Sequence, residues 1–161
     1  MSRSPGFTLI ELMVALVIAG IMISFGLPAF ERYRSTLALE QAHTQVLQDV
    51  RRARQLAVTR RAPVVIRFGA PPVTTNVTTY EIHVDSDADN LVDAGEARTL
   101  RRMPRSTRLD SVEMPTQPDT VTFDISGTLK LGTQGGLLVV ANRLGDRDTL
   151  AISAAGICYE P

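Results

Sequence analysis

Between Phe7 and Phe30 the chain carries a single charged side chain, Glu11. About twenty apolar residues in helical conformation cross a hydrocarbon core of about 30 Å, so this run is long enough to span a membrane. A carboxylate near the start of such a helix is costly. Ionisable groups in apolar segments usually serve a function and need a partner. Gly20 and Gly26 weaken the helix locally, and Pro28 removes a backbone hydrogen bond and is expected to kink it.

The short segment before the run carries Arg3 and no acid. A basic leader and an apolar stretch also describe a secretory signal peptide or a plain signal anchor. A signal peptide should end in small residues after its apolar core, and Phe25-Gly26-Leu27-Pro28-Ala29-Phe30 matches that poorly. Gly6-Phe7-Thr8-Leu9-Ile10-Glu11, by contrast, resembles the cleavage site of type IV prepilins and pseudopilins. The resemblance implies a membrane peptidase that cuts between Gly6 and Phe7 and methylates the new amine of Phe7. It implies that Glu11 pairs with the N-terminal ammonium of a neighbouring subunit in a fibre, and that Pro28 is the helix-kinking proline of many members. It also sets the orientation, with the N-terminus in the cytoplasm and the C-terminal part outside the inner membrane.

The remainder suffices for one modest domain of the 161 residues. Seventeen basic and seventeen acidic residues balance, so net charge calls for no nucleic-acid or acidic partner. The single cysteine, Cys158, excludes an intramolecular disulfide. It reads as a buried, inert thiol.

Leu39, Ala42, Val46, Val50, Ala53 and Ala57 recur at three- and four-residue spacing and define an amphipathic helix with one apolar face. Gln41, Gln45, Gln48, Arg51, Arg52 and Arg54 occupy the other face, and Ala62-Pro63 closes the helix. Beyond it the pattern turns to β. Strands are expected at 64–68, 78–84, 97–102, 107–114, 121–124, 137–141 and 149–153, with a turn at 69–72 and prolines 104, 115 and 118 punctuating the middle. The chain thus divides into a leader (1–6), a membrane and assembly helix (7–30), an amphipathic continuation (31–62) and a β-rich domain (63–161). The fold class is α+β: one long helix laid on an antiparallel sheet.

Leu47 to Arg61 followed by Val64-Val65-Ile66-Arg67-Phe68 resembles the GspH/FimT group of minor pseudopilins, as does the ending from Asp124 to Gly156. The resemblance implies a tip or initiation subunit of a type II secretion pseudopilus, or else a minor type IV pilin serving adhesion, motility or DNA uptake. Its partners would be other pilin subunits, the prepilin peptidase and the inner-membrane assembly platform. Some FimT-like pilins carry a Gly-Arg-x-Arg motif associated with DNA capture. Here Gly156-Ile157-Cys158-Tyr159 stands in its place, and the arginines elsewhere lack interleaved aromatics, so nucleic acid is not the expected partner.

From Asp85 to Glu96 the acids have calcium-ligand spacing. Asp85, Asp87, Asp89, Asp93 and Glu96 occupy positions one, three, five, nine and twelve of an EF-hand-like loop, with the Leu91 carbonyl at seven. Asn90 replaces the usual glycine and tolerates the left-handed region. The flanks read as strands, so the expected object is a calcium loop on a hairpin; a solvated acidic turn is the alternative. No nucleophile motif, phosphate loop or zinc pattern accompanies His43 and His83, which read as incidental, and an enzyme is not expected.

Overall fold

The computed structural model describes residues 6–69, 76–87, 93, 95–114, 120–130 and 135–161. The expected turn at Ala70-Pro71-Pro72, the loop positions Asp89, Asn90 and Leu91, and the punctuating Pro115 and Pro118 lie outside these residues. Among the described residues one helix, α1 (Leu9–Arg60), precedes eight strands. They are β1 (Val64–Phe68), β2 (Thr79–Val84), β3 (Arg98–Arg102), β4 (Thr107–Glu113), β5 (Thr120–Phe123), β6 (Gly136–Asn142), β7 (Arg147–Ile152) and β8 (Cys158–Tyr159).

The chain separates into two compact units, Met1–Arg34 and Ser35–Pro161. In the first, α1 includes Pro28. The large apolar side chains from Phe7 to Phe30 are exposed, and none of the apolar window long enough to cross a membrane is buried within the protein. A helix apolar on every face, with no protein against it, needs another apolar surface to cover it.

In the second unit all six residues of the expected stripe are buried. They form one core with Val64, Ile66 and Phe68 of β1, Tyr80, Ile82 and Val84 of β2, and the inward residues of β4, β6 and β7. The expected single sheet is in fact two antiparallel four-stranded sheets, ordered β3-β2-β1-β5 and β4-β6-β7-β8. After β3 the chain pairs β4 with β6 instead of extending the first sheet, and the register along β4 shifts at a bulge between Leu109 and Ser111. A bridge between Val77 and Leu109 ties the two sheets together. Strand β8, two residues long, has no counterpart in the expected pattern.

Helix α1 ends at Arg60 because Arg61 adopts φ 53°, the left-handed closing conformation, and Ala62 precedes a proline. Arg54, expected on the solvated face, instead donates from Nε to the Gly127 carbonyl at 2.9 Å. Gly156 in the β7–β8 turn has φ +72°, and a Cβ there would press into that same Gly127 oxygen. Helix, β5–β6 turn and C-terminal turn therefore meet at a point with room for no side chain. Gly156→Ala is expected to cost about 2 kcal/mol, combining left-handed strain with the clash. A urea unfolding series would measure it, and a loss below about 0.5 kcal/mol would show that the turn simply moves aside.

Candidate functional site

Gly6, Phe7 and Thr8 precede α1 in non-helical conformation, and Phe7 is among the most exposed apolar residues, at 86%. Thr8 Oγ1 accepts the Glu11 main-chain N–H at 3.3 Å, the first half of a capping box built on the Thr8-x-x-Glu11 spacing. The carboxylate that was unexplained in the sequence thus sits in the first turn of the helix. An acid is favourable there, beside main-chain N–H groups that lack helical partners.

Of the expected calcium ligands, Asp85, Asp87 and Glu96 come together, each offering a carboxylate oxygen within 4.8 Å of the others. Asp85 is buried, and Asp87 is exposed at the mouth. Glu96 accepts the Ser86 N–H at 2.7 Å and the Asp93 N–H at 3.2 Å, which folds the loop back on itself. Asp93 lies exposed and its carboxylate does not join the converging three. Three hard oxygen donors at this spacing suit calcium in chemistry, and waters commonly complete such a shell.

A polar network joins α1 to the first sheet. The Tyr80 hydroxyl donates to Asp49 Oδ2 at 2.6 Å, and Arg101 Nε lies 3.3 Å from the same oxygen. Gln45 Nε2 donates to the Tyr80 hydroxyl at 3.1 Å and to the Arg102 carbonyl at 3.0 Å. Burial, followed by the hydrogen bond to the Asp49 carboxylate, holds the Tyr80 phenol well above its ordinary range. Asp49 went unread in the sequence although its spacing marks it: it falls three residues after Val46 and four before Ala53, inside the apolar stripe.

His43 is a correction of the same kind. It is buried, with Nδ1 at 2.7 Å from Asp148 Oδ2 and Nε2 at 3.3 Å from Glu160 Oε1, so it links α1 to β7 and to the C-terminal end of the described chain. His83 is fully buried, and burial followed by the Arg67 guanidinium lowers its pKa, favouring the neutral imidazole. Cys158 is buried as expected. Burial raises its thiol, Arg51 and Arg54 opposing, which keeps it unreactive.

Residues 1–27 match the prokaryotic N-terminal methylation motif, and residues 42–156 match the family described as type II transport protein GspH. The chain belongs to the GspH family. Crystal structures of the type IV minor pilin FimU from Pseudomonas aeruginosa share its fold. In one crystal form the likeness covers 81% of this chain and 90% of FimU, with TM-score 0.54 and 18% identity. In a second form it covers 76% and 92%, with TM-score 0.54 and 17% identity. Pilin-like protein PilA1 of Thermus thermophilus is 36% identical over 91 residues, which is 56% of this chain. The chain spans about half of that relative, 54% of its length. GspH-family membership and the FimU-like fold together place a pilin-like fold behind an N-terminal methylation motif.

Proposed function

We propose that this chain is a minor subunit of a type II secretion pseudopilus, a tip or initiation component held in the inner membrane and then drawn into a fibre that helps export folded proteins. The observation that carries the reading is the GspH-family match over residues 42–156, preceded by the N-terminal methylation motif. In this reading the prepilin peptidase cuts between Gly6 and Phe7, the assembly platform extracts the subunit, and the exposed apolar residues from Phe7 to Phe30 pack against neighbouring helices. The helix leaves lipid that is already apolar, so close packing between helices and the polar contacts among them hold it in the fibre, with no gain from removal from water. The role is structural and not enzymatic.

The second reading is a minor type IV pilin, and the Thermus relative named pilin-like supports it. A clean deletion separates the two. Loss of exoprotein secretion with surface pili intact supports the pseudopilus. Loss of pili or transformation with secretion intact overturns it in favour of the pilus.

We also propose that Asp85, Asp87 and Glu96 hold calcium. Ligand at a hundredfold excess over its dissociation constant adds about 2.7 kcal/mol. Millimolar calcium should therefore raise the melting temperature of the detergent-solubilised chain by about 5–10 °C. Glu96→Gln should abolish the rise. An unchanged wild-type melting temperature would end the calcium reading.

A further inference from the structure

We propose that the free edge of β3 is a docking site for an extended, acid-bearing peptide segment of a partner protein, taken up as a fifth strand beside Arg98–Arg102. The proposal goes beyond the choice between secretion and pilus machinery, since it concerns what this surface binds.

The parity of the ladder fixes which main-chain groups are free. Val84 N–H donates to the Ala97 carbonyl and Met103 N–H to the Thr78 carbonyl, so Ala97, Thr99, Arg101 and Met103 turn their main-chain groups toward β2. Those of Arg98, Leu100 and Arg102 point the other way. β3 is the edge of its sheet, and among the described residues one of these outward groups has a partner: the Arg102 carbonyl, which accepts from Gln45. Among the described residues, nothing pairs with the N–H and C=O of Arg98 and Leu100 or with the N–H of Arg102, which is the row an incoming strand would meet. Leu100, at 71% exposure, offers that strand an apolar contact. Gln45 already shows how a polar group arriving from outside satisfies this edge.

The space beside the edge suits a chain. One cleft of about 630 Å³, along α1 from Glu40 to Asp49, reaches Leu100 and Arg102 of the outward row, and a second of about 400 Å³, along α1 from Arg52 to Arg60, continues over the face of the sheet past Thr99, Ile82 and Val84. They meet at Arg101, which lines both. Arg52, Arg60, Arg101 and Arg102 line the pair against two acids, Glu40 and Asp49. Asp49 is already engaged with Tyr80 and Arg101.

This charge selects the occupant. Edge arginines oppose pairing with a second copy of the same strand, which would set arginine against arginine. A strand carrying glutamate or aspartate meets the free main-chain groups and the guanidinium groups together. Main-chain pairing supplies affinity and the arginines supply choice of partner.

Amide exchange of the full chain in detergent micelles tests this, with a seven-residue peptide alternating valine and glutamate as the probe. The peptide is expected to slow exchange at Arg98, Leu100 and Arg102 by about tenfold or more, and its lysine counterpart is expected to do nothing. Leu100→Pro removes the central outward donor at a position where an edge strand accepts proline, and it should cancel the protection. Arg98→Glu combined with Arg102→Glu leaves core packing untouched and should transfer the effect to the lysine peptide. No slowing at these amides in millimolar acidic peptide would overturn the proposal. Equal slowing by the lysine peptide would overturn it too. Slowing by a single-stranded DNA oligonucleotide matching that of the acidic peptide would also overturn it, reducing the site to a general anion surface.

Discussion

Asp49→Ala is expected to destabilise the unit from Ser35 onward by about 2–3 kcal/mol, chiefly the cost of leaving the buried Tyr80 hydroxyl without its acceptor. The carboxylate sits 5% exposed in the helix–sheet interface and holds two partners, the Tyr80 hydroxyl at 2.6 Å and Arg101 Nε at 3.3 Å. Without it the phenol keeps only Gln45 Nε2, which donates to it and cannot accept its proton. Arg101 is half-exposed and can turn to water, so most of the loss falls on the buried hydroxyl and the space left behind. Asp49→Asn restores an acceptor and should recover roughly half of the loss.

The titration of Tyr80 supplies a second readout. A phenol whose pKa is raised by folding contributes stability that is fully present below about pH 10 and is lost as the pH climbs toward the folded value. In Asp49→Ala the phenol should ionise closer to its ordinary range, since the carboxylate hydrogen bond and charge that oppose ionisation are gone. Urea unfolding and a spectrophotometric phenol titration check both expectations. A loss below about 1 kcal/mol with an unmoved phenol would mean that the network carries no weight.

The same residue shows how far the sequence could be read. Periodicity fixes phase, and the stripe from Leu39 to Ala57 is buried as its spacing demands. Asp49 and His43 share that phase, but their burial depends on partners far along the chain. Tyr80 is 31 residues from Asp49, while Asp148 and Glu160 approach His43 from β7 and the C-terminal end. Spacing along one helix contains no trace of such partners, so both side chains read as polar and unremarked. The strands were legible for a related reason. Tyr80, Ile82 and Val84 alternate inward, but alternation does not say which strand lies alongside, and one expected sheet proved to be two. His83, on the opposite phase of β2, and Asp85, just beyond its end, are buried as well, which no half-buried pattern anticipates. In the acidic loop, spacing brought Asp85, Asp87 and Glu96 together but did not place Asp93 with them.

Glu11→Ala is expected to leave a membrane-inserted, correctly processed subunit that no longer enters the fibre. The carboxylate lies in the first turn of α1, four residues after the proposed new terminus at Phe7, among side chains that are otherwise apolar. In the membrane, the Thr8 hydroxyl and the free N–H groups of the first helical turn ease its placement near the interface. In a fibre the environment differs, because neighbouring helices exclude water and an unpaired carboxylate then costs several kcal/mol. We propose that an ammonium on Phe7 of the adjoining subunit would remove that cost at one axial position and no other, so that the pair would set register as well as add attraction. Alanine removes both the penalty and the register. The subunit can still be inserted, but it lacks the contact that favours one stagger over its neighbours. Processing, read as loss of residues 1–6 by mass spectrometry, should remain intact, while the share of the subunit recovered in sheared fibres should fall at least tenfold relative to wild type, about 1.4 kcal/mol in the assembly equilibrium. Glu11→Asp keeps the charge but shortens its reach, and it should restore part of the incorporation. Wild-type incorporation of Glu11→Ala would refute the pairing and leave apolar burial alone to position the subunit.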